Sequence, residues 1–401
     1  MEYSTLERWQ GIGETGIVYD KGSLYDCFQL IVDPRKAHGK RYSLVSLLVI
    51  IFLAKLCGKD TPVEIADWAK NRAAELAELL QLKRSWMPHH NTIRRVFQSI
   101  VSADEFDQLA QEYSQQEQTG HGKVWALDGK TLRGTATAGV DRQAHVLGLY
   151  DGYDQQVLAQ VVVDHNENEI PAAARVLEQV SVAGKIITAD ALHTQRAISA
   201  AIVEAKGAYI FPVKDNQPRL LEDIQRLFAP DQPKPGFGQI PTDFQTATKT
   251  NSSHGRFEKR TLQTSAMLND YLDWPGVGQV YRLVRHFSWL RQGKVYKTSC
   301  ETEYGITSLS RDQASAAHLL QFRRQHWGIE TGLHYRRDVT FHEDTTRMTV
   351  GAAGRILATV HNLVIGLIKR AGYQNTAQGR RYFDGHIAEA FDLLLTVNSR
   401  S

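Results

Sequence analysis

Lys123-Val124-Trp125-Ala126-Leu127-Asp128-Gly129-Lys130-Thr131-Leu132 is the stretch on which the fold turns. Four apolar residues in a row, with a glycine two positions past the last, predict a short buried strand rather than a helix. Asp128 interrupts that run at its inner end. A strand holds such a carboxylate rigidly, and Gly129 lets a ligand approach the backbone closely. The plainer alternative is a turn aspartate in an Asp-Gly pair.

Working outward from 123–132, two more strand-like runs follow, Ala144–Tyr150 and Gln156–Asp164, with Asp151-Gly152 at a hairpin between them. The period then changes. A helix is predicted over Pro171–Val180, a strand over Lys185–Ala189, a helix over Thr194–Lys206, a strand over Ala208–Val213 and a helix over Pro218–Phe228. Three meandering strands followed by strand–helix alternation indicate an α/β domain with a mixed sheet. Pro230, Pro233, Pro235, Gly236 and Gly238 break the alternation. Strand-like stretches at Phe257–Gln263, Gly278–Phe287, Lys294–Cys300 and Thr302–Ser308 then suggest a β-rich insertion. Helical pattern resumes at Ala314 in a long run containing Glu330, and a second helix spans about Val350–Lys369. An amphipathic segment, Ile387–Leu395, comes last.

Upstream of the quoted stretch the chain reads as helical. Ser43 can cap the helix holding the apolar run from Leu44, and Thr61-Pro62-Val63-Glu64 combines an N-cap, a proline at the first position and a capping-box acid. Ser102-Ala103-Asp104-Glu105 is a second capping box. Short helices joined by tight turns suit a helix-turn-helix-like unit for DNA ends, or equally a bundle that only supports the catalytic part. The expected plan is therefore an all-helical domain over 1–120, a first catalytic part over 121–230, the insertion over 231–312, a second catalytic part over 313–372 and a terminal segment over 373–401.

Composition bounds the function. The chain has 401 residues, 42% hydrophobic and 23% charged, with a net charge of +3, so a nucleic-acid partner is allowed but not dictated. Cys27, Cys57 and Cys300 lack CxxC spacing, which speaks against a zinc cluster and for a reducing compartment. No secretory leader pattern opens the chain, and the apolar run Leu44–Ala54 falls short of the roughly 20 residues a membrane span needs. A cytoplasmic protein with no membrane partner is expected.

Two further acids have settings like that of Asp128. Asp190 ends the apolar run Ile186-Ile187-Thr188-Ala189, where α/β sheets bind ligands beyond their strand ends. Capping of the following helix is the plainer reading. Glu330 lies in His326-Trp327-Gly328-Ile329-Glu330, with Arg323, Arg324, Arg336 and Arg337 within two turns. Glu330 and Arg337, seven apart, would share a helix face and could place a cation beside a DNA phosphate; a salt-bridged surface helix would look the same. Two strand carboxylates and one helix carboxylate can converge on a pair of hard cations about 3.5–4 Å apart, an arrangement suited to phosphodiester chemistry. Lys130, Arg133, His193, Lys214, His254, Arg256, Arg323, His326, Arg336 and Arg337 are the candidate DNA contacts. Acids at 338, 343, 344, 164, 167 and 169 are at best supporting groups.

Together these motifs resemble the DDE transposases of bacterial insertion sequences, in the branch of the H-repeat-associated proteins. The resemblance is carried by Asp33-Pro34-Arg35-Lys36, Gly39-Lys40-Arg41-Tyr42-Ser43-Leu44, Ala54-Lys55-Leu56-Cys57-Gly58 and Ile65-Ala66-Asp67-Trp68 in the first part. It continues through Leu127–Gly134, Asn168-Glu169-Ile170, Thr188–Gln195, Lys214, Asn216-Gln217, His254-Gly255-Arg256 and His326–Glu330. It implies a ribonuclease H-like core with a β-rich insertion before the helix of the third acid. It also implies Mg²⁺ (or Mn²⁺), two ions per site, held by Asp128, Asp190 and Glu330. Relatives carry a tyrosine, an arginine and a lysine around the last acid, where this chain has Arg323, His326 and Arg337. The implied reaction is in-line displacement at phosphorus: hydrolysis at the element's end frees a 3′-hydroxyl, which then attacks target DNA. A homodimer on paired double-stranded ends is implied as well. A metal-dependent nuclease without strand transfer would use the same acids, and terminal inverted repeats around the gene would tell the two apart. A domesticated DNA-binding protein would not need the three acids intact.

Overall fold

The computed structural model describes residues 9–398 except 14, 39, 136–142, 165, 230–242, 254 and 293. The prolines and glycines at 230–238 lie outside the described residues. Strands β1 (Gln10–Ile12) and β2 (Val18–Asp20) form a small antiparallel ribbon, so the first part is not all helical as expected. Helices α1 (Leu24–Leu30), α2 (Leu44–Leu56), α3 (Pro62–Asn71), α4 (Ala73–Leu79), α5 (His90–Arg95) and α6 (Ala103–Gln116) follow, and α5 runs on as a π-helical turn, Val96–Ile100. Their starts obey the sequence: Ser43 accepts from the Ser46 amide, and Thr61 and Glu64 close a reciprocal capping box.

The nine remaining strands make one sheet. They are β3 (Val124–Thr131), β4 (His145–Asp151), β5 (Gln156–Val163), β6 (Ile186–Thr188), β7 (Ala208–Val213), β8 (Gln245–Ser253), β9 (Arg256–Ser265), β10 (Gln279–Arg291) and β11 (Lys294–Thr307), in the spatial order 5-4-3-6-7-11-10-9-8. β3, β4 and β5 pair antiparallel, β6 and β7 run parallel to β3, and β11 joins β7 antiparallel through Tyr304–Thr307. The strands after residue 243 thus extend the core sheet edgewise. The two runs expected at 294–300 and 302–308 are a single strand, and β8, a polar strand, carries no apolar pattern that could have announced it.

Alternation along β3 sorts the two faces. Trp125 and Leu127 point into a core made with α7 (Glu169–Glu178), α8 (Arg196–Glu204) and α9 (Pro218–Leu227). Val124 and Ala126 point the other way, toward residues of α10 (Ala316–Ile329) and of the helical segment after it. There α11 (Ala353–Arg370), α12 (Thr376–Gly385) and α13 (Ile387–Leu395) share a core with the first six helices. Asp128 has the parity of Ala126, so its side chain faces the α10 side.

Candidate active site

Register brings the two strand acids together. Ala126 pairs with Thr188 across the parallel β3–β6 ladder. Asp128 and Asp190 each lie two residues further on, with the same parity, and Asp190 is still extended (φ −80°, ψ 177°). Adjacent strands lie about 4.8 Å apart. The register thus sets Asp190 near enough to Asp128 for their charges to act on one another, and Lys214, exposed just past β7, lies along the same sheet edge.

α10 delivers the third acid. It is docked on the sheet by Arg323, which donates to Glu303 of β11 at 2.9 and 3.0 Å, and by His326, whose Nδ1 lies 3.1 Å from the Thr188 hydroxyl. At its end come two π-helical turns, Glu330–His334 and Arg336–Thr340. Such turns are rare and recur at functional sites. Ile329 and Leu333 are buried, while Glu330 leaves the core and faces Asp128. Ligand atoms of Asp128, Glu330 and His334 all lie within 4.8 Å of one another. His334 Nδ1 is 3.5 Å from Asp128 Oδ2 and 3.9 Å from Glu330 Oε2.

The electrostatics suit a cation. Burial pushes the Asp128 carboxyl up to about 6; His334 opposes the rise, and Glu330 and Asp190 add to it. Its pairing with His334 holds Glu330 below the usual carboxylate range, against some desolvation. A half-shielded cluster with excess negative charge and hard oxygen donors fits a divalent ion, with one imidazole nitrogen available beside them. Asp190 lies outside this three-residue group: it is exposed and accepts from the Leu192 amide at 3.0 Å, capping a 3₁₀ turn at Ala191–His193. The capping role weighed from the sequence is real, on a turn the sequence did not announce.

His334 was missed, and Glu169, weighed only as a supporting group, turns out to centre a bracket below the acids. Glu169, first residue of α7, accepts from His145 Nε2 (2.7 Å) and His193 Nε2 (3.0 Å), and His145 Nδ1 meets the Thr131 hydroxyl at 2.9 Å. This ties the turn after Asp190 to β3 and β4. Those two hydrogen bonds hold the Glu169 carboxyl near 2. A Cβ on Gly129 would meet Glu169 at 2.4 Å and His145 at 2.6 Å, so glycine is required there to seat the bracket. The i,i+4 spacing of Glu330 and His334 was the available signal for the first, and Asn168-Glu169 beside His193 for the second.

Several expected DNA contacts are placed otherwise. Arg337 is 2% exposed, ion-paired with Glu343 at 2.7 Å, and the same Glu343 meets His361 at 2.7 Å. Each π turn takes in an extra residue, so the face predicted to carry Glu330 and Arg337 together slips, and Arg337 points inward. Arg323, His326 and His193 are likewise engaged inside the fold, and burial lowers His326 to about 3, leaving it neutral. Lys130, nearly buried, pairs with Asp338 at 2.6 Å. Arg336 bonds Gln155 and the Gln374 carbonyl. Arg256 lies over the Phe287 ring at 4.4 Å, Arg133 is 73% exposed, and His254 lies outside the described residues. Trp327 is 51% exposed.

Carboxylates on and just past parallel strands stand near the crevice where open α/β sheets bind ligands. Residues 117–365 match the family model of the transposase DDE domain, and residues 25–114 that of the domain associated with it. The chain belongs to the DDE transposases and is a DNA transposase. It is 28% identical to YncI of Escherichia coli O157:H7 over 86% of this chain and 87% of that one. It is 26% identical to the H repeat-associated YhhI of Escherichia coli (strain K12), over 86% and 90%. An uncharacterized protein in the dhlA 3′ region of Xanthobacter autotrophicus is 30% identical over 71% and 94%. The piggyBac transposase, in a synaptic complex with hairpin DNA, aligns over 96% of this chain and 83% of that one at a TM-score of 0.41 and 11% identity, a likeness too distant to define fold or chemistry. Among the described residues no helix is long and apolar enough to cross a membrane.

Proposed function

We propose that Asp128, Asp190 and Glu330 are the carboxylates with which this transposase cuts double-stranded DNA at insertion-sequence ends and joins the freed 3′ ends to target DNA. The core is ribonuclease H-like, residues 121–230 and 313–372 forming its two parts, with 231–312 inserted between them. What supports this reading is the grouping of Asp128 and Glu330 with His334 within 4.8 Å, beside a β3–β6 register that leads to Asp190 two residues past its last pair.

Mg²⁺ or Mn²⁺, two ions per site, when bound supplies Lewis acidity and neutralises charge at phosphorus. The protein's part is to hold the ligands still. Strand backbone fixes Asp128; the capped turn and the Glu169 bracket fix Asp190; the Arg323–Glu303 and His326–Thr188 contacts fix the helix of Glu330. His334 stands between Asp128 and Glu330 and eases their repulsion. Water attacks first, and the departing 3′-oxygen becomes the next nucleophile in the same pocket, so no covalent enzyme intermediate is needed. Arg133 and Lys214, both exposed near the acids in sequence or along the sheet edge, are the contacts left to meet phosphates. A homodimer acting on paired ends in the bacterial cytoplasm completes the reading.

Strand transfer between duplexes carrying the element's own ends and a supercoiled plasmid tests it. Joined products that depend on Mg²⁺ and vanish with Asp128→Asn are expected. Cleavage without joining, under every end sequence and either metal, would reduce the protein to a nuclease.

A further inference from the structure

Charge is concentrated far from the acids in sequence. Residues 79–103 contain Lys83, Arg84, Arg94 and Arg95 and no Asp or Glu, a net +4 in a chain whose total is +3. Burial then sorts the helix His90–Ile100. Ile93, Val96, Phe97 and Ile100 are buried, and the helix packs beside α3. Asn91, Arg94 and Arg95 are exposed at i, i+3 and i+4, so they form one outward stripe. Arg94 donates to the Asn91 side chain at 3.2 Å, and among the described residues neither Arg94 nor Arg95 has an acidic partner. The loop before the helix presents Trp86, 62% exposed, with the Arg84 guanidinium 5.4 Å from its ring centre.

We propose that this stripe enters the major groove of duplex DNA and reads base edges at the element's ends, with Lys83, Arg84 and Trp86 lying on the adjoining backbone. The proposal rests on the transposase reading and deepens it by naming where the end sequence is recognised. The residue types decide between a nucleic acid and an acidic protein. Arginine matches the guanine edge and asparagine the adenine edge, each bidentately, whereas an acidic protein would need only charge. A helix about 10–12 Å across fits a major groove about 12 Å wide. The apolar stripe on the opposite side holds the helix to the body, so the outward side chains are presented at a fixed angle.

The test uses the full-length protein and short duplexes tiling the chromosomal DNA on either side of its gene, against shuffled duplexes of equal composition. Wild type is expected to prefer one tile in each flank. Asn91→Ala, Arg94→Ala and Arg95→Ala should each cost about 5- to 140-fold of that preference, leaving affinity for shuffled DNA nearly unchanged. Lys83→Ala with Arg84→Ala should weaken binding to every duplex and reduce the log–log salt slope by about 1.8. Unaltered thermal melts and unaltered Mn²⁺-dependent nicking of a plasmid keep the binding result separate from folding and from the catalytic reading. A preference that survives the Arg94→Ala/Arg95→Ala double variant overturns the proposal, as does a wild type with no preference at all. Absence of nicking in the wild type would count against the catalytic reading, and the binding arm would still decide the helix.

Discussion

The His334 imidazole stands 3.5 Å from the Asp128 carboxylate, and it does so because both it and Glu330 belong to a single π turn. An ordinary α-helical turn closes its hydrogen bond at the fourth residue; here the Tyr335 amide reaches back five residues, to the Glu330 carbonyl. The wider turn lets a carboxylate and an imidazole lean toward the same strand acid.

His334→Ala should therefore weaken Mn²⁺ binding by about 10- to 100-fold, the range seen when groups supporting a metal site are removed. Electron paramagnetic resonance of Mn²⁺ titrated into the protein measures it directly. Unchanged affinity would make His334 a packing residue.

Asp128→Asn, Asp190→Asn and Glu330→Gln should each lower cleavage by about 10³-fold or more while end binding persists. Gel-shift and cleavage assays on the same duplex check both halves. Any variant that still cuts at the wild-type rate removes its residue from the site.

Metal affinity should follow the Asp128 proton. Its carboxyl titrates at about 6, so above that pH the ligand is already ionised and affinity is flat. Below it, proton and cation compete, and affinity falls about tenfold per pH unit. Calorimetric Mn²⁺ titrations at pH 5 to 8 give the curve; a midpoint near 4 would mean that burial of Asp128 has been misjudged.

Arg337→Ala should act on stability rather than on DNA binding. It strands Glu343, 4% exposed and paired with both Arg337 and His361, and leaving a buried charge uncompensated costs about 3–5 kcal/mol. Thermal melts should show the loss, while the salt dependence of DNA binding at the variant's stable temperature stays as in wild type. A flattened salt slope would return Arg337 to the DNA surface.

Glu169→Gln should leave the fold intact but loosen the turn after Asp190, since each histidine meets a different carboxylate oxygen and the substitution turns one of these into an NH2 that cannot accept. A rise in the Mg²⁺ concentration needed for half-maximal cleavage is expected, recovered in part by Mn²⁺. Equal metal dependence in variant and wild type would make the bracket purely architectural.

The order of strands and helices from 123 to 228 was legible because each element there is amphipathic or continuously apolar; upstream, the Thr61–Glu64 capping box marks the start of α3. Asp128 and Asp190 stood out for the same reason: each ends an apolar run. What failed was whatever depends on phase or on distant partners. Arg337 was assigned to the face of Glu330 on the assumption of an unbroken α-helix, and the residue taken in by the π turn that starts at Glu330 breaks that phase. β8 has the composition of a loop, and its strand conformation comes from pairing with β9. Glu169 reaches His145 and His193 across three elements, a juxtaposition that no local pattern encodes.

The continuous sheet has a mechanical consequence. Through Tyr304–Thr307, β11 is bonded to β7, and β7 to β6, whose end carries Asp190. The far hairpin of β10 and β11 is thus a lever arm welded by backbone to the strand beneath that acid. A load on that hairpin would be carried by backbone hydrogen bonds to the strand that precedes Asp190.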